Sequence, residues 1–191
     1  MSSVDEVSGI WNLEIAKKRH RYDSSLAEGI VTIFKKVKSV ADLGCGLGNY
    51  CKRLKENGIP LVHGYEGTPN IQKIAIYDDI MTLDLTKRRW VEIPYELTLS
   101  LEVGEHIPKK YEQIFIDNVC EFTRKYLVLS WGIPGQGGTG HFNEQPNDYV
   151  VAQFAERGLR LERKKTRFLR GAATRGWFKN TLLVLRQNER S

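Results

Sequence analysis

No stretch of this chain is long and apolar enough to cross a membrane as a helix, so an integral helical membrane protein is not expected. The first residues, Met1 to Ile10, are polar and acidic and carry no basic-then-apolar leader pattern. Cysteine is scarce: Cys45, Cys51 and Cys120 form no C-x-x-C pair and leave an odd count. They form no zinc-cysteine set, and reduced thiols and a cytoplasmic setting are expected. There is no internal repeat and no RNA-binding aromatic motif. What remains is a chain of 191 residues, enough for one domain with a sizeable core. A single domain over residues 1–191 is expected, with residues 1–22 as an amino-terminal tail and lid. The net charge of +6 permits acidic partners without requiring them.

The chain is organised around Ser39 to Tyr50. A short apolar run reaches an acid at Asp42, glycines follow at Gly44, Gly46 and Gly48, and a helical pattern runs from Asn49 to Asn57. This reads as strand, tight turn, helix. Glycine lets backbone approach a ligand closely, and the helix amino terminus offers unpaired N–H groups to a carboxylate or phosphate. The dinucleotide fingerprint G-x-G-x-x-G fails here, because its last glycine would fall on Asn49. Asp-x-Gly-x-Gly-x-Gly, Asp42 to Gly48, instead resembles motif I of the class I S-adenosylmethionine (SAM)-dependent methyltransferases. The resemblance implies a loop around the methionine part of SAM through Gly44, Cys45, Gly46 and Gly48, with Asp42 beside its amino group.

Ahead of the loop, the segment from Ile10 to Tyr22 carries the basic cluster Lys17 to Arg21, read either as a solvated face or as part of a closing segment. Ser25 and Glu28 form a capping box for a helix to about Lys36. A second strand is expected over Ile59 to Tyr65. Glu66, with Gly67 after it, lies 24 residues beyond Asp42, where a carboxylate at a strand tip can accept from ribose hydroxyls. A short helix with proline in its first turn is expected at Thr68-Pro69-Asn70, and a third strand over Asp78 to Leu85. The resemblance sets Asp84 and Leu85 against the adenine. The fourth strand, Tyr95 to Leu101, is followed by Glu102-Val103-Gly104-Glu105-His106-Ile107, a segment similar to one found beside the transferred methyl in many of these enzymes. Leu101 and Glu102 are accordingly assigned to the cofactor pocket.

An amphipathic helix is expected from Pro108 to Lys125 and a fifth strand from Tyr126 to Trp131. The glycine-rich Gly132 to Pro146 reads as a substrate loop carrying His141, Phe142 and Asn143. A helix capped by Asn147 should run to Arg157. Strands are expected over Leu159 to Leu169 and Trp177 to Leu185, joined by an extended loop from Arg170 to Gly176. Eight Lys or Arg between Arg157 and Arg175 suit either a nucleic-acid surface or the charged edge of a sheet, and the edge reading is preferred.

The expected fold is a doubly wound α/β domain with a mostly parallel seven-stranded sheet whose last strand is antiparallel. The expected function is SAM-dependent methyl transfer to an oxygen of a small-molecule acceptor, with His106, His141 and Glu102 as catalytic candidates. Glu102, Glu105, His106 and His141 form a candidate divalent-metal set, an arrangement similar to that of small-RNA 3′-end 2′-O-methyltransferases and, in its first part, to ubiquinone-biosynthesis O-methyltransferases. A metal-assisted RNA or quinone-type enzyme, an inactive SAM-binding partner or sensor, and a nucleotide-dependent oxidoreductase are the alternatives.

Overall fold

The computed structural model describes residue 5 and residues 7–188, so residues 1–4 and 6 of the expected tail lie outside it. In chain order its elements are α1 (Leu13–Arg19), α2 (Ser24–Phe34), β1 (Ser39–Leu43), α3 (Asn49–Glu56), β2 (Leu61–Glu66), β3 (Ile80–Thr82) and β4 (Tyr95–Leu101). There follow α4 (Glu112–Phe122), β5 (Thr123–Ser130), α5 (Asn147–Ala155), β6 (Leu159–Leu161), α6 (Arg163–Ala172), α7 (Gly176–Thr181) and β7 (Leu183–Gln187). No helix among the described residues is long and apolar enough to cross a membrane.

The seven strands form one sheet in the order β3-β2-β1-β4-β5-β7-β6. All neighbours are parallel except β7, which runs antiparallel to both β5 and β6. The alternation of side chains along each strand splits the core into two layers. Val40, Leu97, Leu99, Val128 and Val184 face Leu26 of α2, Leu54 of α3, Leu169 of α6 and Phe178 of α7. Ala41, Leu43, Leu127, Leu129 and Leu185 face Phe115 of α4 and Phe154 of α5. β1 and β2 progress toward one edge, and β4 begins the progression toward the other. The chain therefore reverses direction between β1 and β4, and a crevice opens beyond their carboxyl ends.

Local differences from the sequence expectations have physical reasons. Asp23, not Ser25, caps α2: its carboxylate accepts from the Leu26 amide at 3.0 Å. The third strand shortens to Ile80–Thr82, and Ile71–Lys73 forms a single 3-10 turn beyond the expected Thr68–Asn70 helix. Pro146 precedes α5, and the Asn147 side chain donates to the Asn180 carbonyl instead of capping. The largest correction concerns residues 159–185. The strand stops at Leu161, and Arg163 to Ala172 is a helix with Thr166 and Leu169 buried at helical spacing. The expected Arg170–Gly176 loop is the end of α6 plus a three-residue link, and α7 replaces the first half of the expected last strand. Most of the basic run thus lies on a helix, so edge protection does not account for it.

Candidate active site

The turn after β1 is built from left-handed glycines, with φ of +76° at Gly44, +58° at Gly46 and +81° at Gly48. A side chain costs energy in this region of backbone space, which is why the turn needs glycine. Close approach adds a second reason: a Cβ on Gly46 would stand 1.6 Å from His20 Nδ1, and one on Gly44 2.4 Å from a Val103 methyl. The amides of Gly44 and Cys45 donate to the Tyr65 carbonyl at 2.7 and 3.1 Å, tying the loop to β2. Glu66, at the tip of β2, holds the other side. One carboxylate oxygen accepts from the Gly46 amide at 2.9 Å, and the other accepts from the amide and hydroxyl of Thr68 at 2.9 and 2.8 Å. Gly48, at the cap position of α3, has no side chain to cap the helix, and Asn49 and Tyr50 at its amino end line the crevice.

The crevice is a cavity of about 460 Å³. Its wall brings together Asp42, Gly44, Cys45, Glu66, Gly67, Asp84, Leu85, Leu101, Glu102, His106 and His141 from the sequence-derived set. Gly46 and Gly48 belong to the same loop, and Glu105 lies buried behind the wall. Burial pushes the Asp42 carboxyl up to about 7, against the Cys51 thiol that donates to it at 3.6 Å. Burial also works against ionisation of Asp84, but the Thr86 hydroxyl and amide and Lys87 hold its carboxyl below the usual range.

At the end of β4 the backbone turns sharply, and Glu102 is left-handed at φ +55°. Its amide donates to Ser130 Oγ at 2.8 Å, and its carboxylate accepts from Gln136 Nε2 at 2.9 Å and Thr181 Oγ1 at 3.3 Å. Burial raises this carboxyl despite those donors. Glu105 is fully buried, and neither of its oxygens has a hydrogen-bond partner among the described residues. Burial, with the Glu102 charge beside it, drives its carboxyl well above the usual range.

The two histidines meet edge to face, with ring centroids 5.1 Å apart. His106 Nδ1 lies 2.9 Å from the Gly140 carbonyl, which can only accept, so Nδ1 carries the proton and Nε2 keeps its lone pair. Burial lowers its pKa to about 4, so it is neutral at pH 7. His141 Nδ1 lies 2.9 Å from Glu144 and has the same tautomer for the same reason. Burial opposes ionisation of Glu144, but His141 and the amides of Gly135 and Gly137 keep it below its ordinary range. The loop that presents His141 is anchored from below. The amides of Phe142 and Asn143 donate to the Glu105 carbonyl, Trp131 Nε1 donates to the Asn143 carbonyl, and the Asn143 side chain donates to buried Glu112.

Ligand atoms of Glu105, His106 and His141 lie within 4.8 Å of one another. Glu102 is outside that group and is taken up by Gln136 and Thr181. Sequence reasoning missed Glu144, whose signal is its position three residues after His141. It also missed His20 and Trp11. The Trp11 ring meets His20 and His106 with centroids 5.3 and 5.0 Å away, so residues 8–11 and 19–22 form one wall of the cavity.

No family model matches the chain, and no curated protein matches its sequence. Solved structures do match. A magnesium protoporphyrin IX methyltransferase from Synechocystis PCC 6803 with bound SAM is 18% identical, with a TM-score of 0.61 over 92% of this chain and 79% of that one. The sugar N-methyltransferase KedS8 from Streptoalloteichus is 13% identical, with a TM-score of 0.65 over 97% and 89%. A TehB-like SAM-dependent methyltransferase from Corynebacterium glutamicum is 16% identical, with a TM-score of 0.63 over 92% and 93%. The strand order, the antiparallel β7 and these likenesses agree: the chain has the fold of the class I SAM-dependent methyltransferases.

Proposed function

We propose that this chain is a SAM-dependent methyltransferase that methylates a hydroxyl of a small acceptor. The observation that carries the reading is the single cavity joining the left-handed glycine loop and Glu66 to two histidines with unclaimed Nε2 lone pairs. The residues fit the cofactor. The glycine turn brings backbone at Gly44 to the cavity wall, Asp42 is a buried acid suited to an ammonium group, and one lone pair on Glu66 Oε2 remains open to a ribose hydroxyl. Asp84 and Leu85 line the part assigned to the adenine, and residues 8–22 act as a lid that excludes water. SAM, when bound, supplies a methyl group already activated by its sulfonium.

The chain's own part is alignment and removal of one proton. His141 accepts the acceptor's proton on Nε2, and Glu144 holds its Nδ1–H and stabilises the cation that forms. His106 is too weak a base at pH 7 to share this task and serves as a neutral acceptor that positions the hydroxyl. The neighbours' printed activities, on a porphyrin and on a sugar, support a small acceptor.

The unpartnered oxygens of Glu105 favour a second reading, in which Glu105, His106 and His141 hold a divalent cation that lowers the hydroxyl's pKa. Calorimetric titration with SAM, S-adenosylhomocysteine and NAD tests the cofactor: the first two should bind, and binding of NAD alone would overturn the proposal. With a responsive acceptor, His141→Ala should cut turnover far more than SAM affinity. Activity that survives exhaustive EDTA treatment supports the histidine base, whereas loss restored by Mg²⁺ or Mn²⁺ supports the metal.

A further inference from the structure

We propose that the acceptor carries an anionic group, a phosphate or a carboxylate, held at the mouth of the cavity by Arg19 and Arg21. This rests on the methyl-transfer reading above. Both arginines line the cavity and are exposed. Neither guanidinium has a hydrogen bond or an ion pair among the described residues.

The carboxylates that share the wall do not face them as partners. Glu66 is occupied by Gly46 and Thr68, Asp84 by Thr86 and Lys87, and Glu102 by Gln136 and Thr181. Asp42 is buried against Cys51. Two permanent cations therefore stand unneutralised at the opening of a cavity that, on this reading, also receives a sulfonium. Between residues 8 and 22 the single acid, Glu14, is outnumbered by Lys17, Lys18, Arg19 and Arg21. The field at the mouth favours an anion, and a planar guanidinium matches the oxygens of phosphate or carboxylate in pairs.

The backbone that bears the arginines is also held in place. On one side Ala16 is fully buried, and its carbonyl accepts the His20 amide. On the other, Asp23 accepts the amides of Thr174 and Arg175 at 2.7 and 2.8 Å, and the Arg175 guanidinium donates to the Tyr22 carbonyl at 3.3 Å. That guanidinium lies 5.6 Å from the centroid of Trp177, another residue of the cavity wall. The segment bearing Arg19 and Arg21 is thus clipped at both ends, which lowers the entropy lost when an anion binds.

The test is a calorimetric titration of inorganic phosphate, and separately of acetate, into the full chain at low ionic strength, with and without saturating S-adenosylhomocysteine. The parent should bind one of the two anions saturably, and the tighter one names the group. The double variant Arg19→Gln/Arg21→Gln should lose at least tenfold in that affinity, and Arg19→Lys/Arg21→Lys should recover part of it. The control Arg163→Gln/Arg167→Gln, on the exposed side of α6, should match the parent. Equal anion affinity in the Gln double variant, or an equal loss in the control, overturns the proposal. So does a tenfold loss of S-adenosylhomocysteine affinity in the Gln double variant, because the arginines would then serve the cofactor's own carboxylate. Should the parent fail to bind S-adenosylhomocysteine at all, the methyl-transfer reading falls, while the cofactor-free titration still decides whether the arginines form an anion site.

Discussion

Alanine at Gly46 should cost the fold twice over, and the two costs can be separated. The first is backbone: an L residue at φ +58° pays about 1–2 kcal/mol for the left-handed region. The second is steric, since the new Cβ would lie 1.6 Å from His20 Nδ1 and 2.4 Å from Cε1, so the imidazole must leave its place. Forcing an atom into a filled site adds about 1–3 kcal/mol. Gly58 supplies the reference, because it is left-handed at φ +85° with nothing within 4 Å of its Cβ position. Gly58→Ala should therefore show the backbone cost alone. Removing the obstruction should do the same for the first site: in a His20→Ala background, Gly46→Ala should cost about as much as Gly58→Ala. Urea denaturation of the four chains of this cycle should give a coupling of about 1–3 kcal/mol between positions 20 and 46. The reasoning is refuted if Gly46→Ala is no more costly than Gly58→Ala, or if its cost is the same with and without His20.

Asp42 titrates at about 7 in the folded chain against about 3.9 unfolded, so the folded state keeps its proton to higher pH. Its contribution to stability is complete below about pH 4 and is lost as pH rises toward 7, with a slope of up to about 1.4 kcal/mol per unit. Asp42→Asn should flatten that slope in urea midpoints measured between pH 5 and 8, and a parent with no slope there contradicts the assignment. Binding of SAM near pH 6.5 should release a proton from Asp42, read as a dependence of calorimetric heat on the buffer's ionisation enthalpy; identical heats in phosphate and Tris would count against it. Glu66→Gln keeps one acceptor oxygen for three donors and should weaken S-adenosylhomocysteine by about 1.5–3 kcal/mol, measured by titration; parental affinity would remove Glu66 from the site. Glu144→Gln should lower turnover about tenfold or more and shift its pH profile, while Glu144→Asp recovers part and cofactor affinity stays put. An unchanged pH profile would leave His141 without its proposed orienter.

The strands around the crevice were legible because each imposes a local requirement. β4 runs from Tyr95 to Leu101 as expected, with Tyr95, Leu97, Leu99 and Leu101 alternating with polar residues, and the three alternate glycines announce a turn that only glycine makes cheaply. Residues 159–185 were misread for an equally physical reason. Leu159 and Leu161 alternate as a strand should, but from Arg163 onward the buried positions are Thr166, Leu169 and Ala173, a helical spacing hidden by intervening arginines and lysines. The site was half legible. Its histidines stand out by type, yet the tautomer of each is set by Gly140 and Glu144, and their loop is fixed by the Glu105 carbonyl and by Glu112. Apart from His141 and Glu144, three residues apart, those contacts are distant in sequence and leave no periodic trace. The clasp of Asp23 on Thr174 and Arg175 spans about 150 residues and leaves none either.

The position of β7 carries a consequence for how the molecule is made. β7 follows β6 in the chain yet lies between β5 and β6 in the sheet. When Leu161 has left the ribosome, β6 has no strand to pair with, because its one neighbour spans Leu183–Gln187. At roughly 5–20 residues per second, β6 stays unpaired for about one to five seconds of synthesis, and the edge of β5, complete at Ser130, for about three to eleven. The Asp23 clasp waits on the same interval, since Thr174 and Arg175 arrive within it. Until then the nascent chain holds a glycine loop and a β4 turn with no closed mouth, so ligand capture is a late event in its biogenesis and not a guide to its early folding.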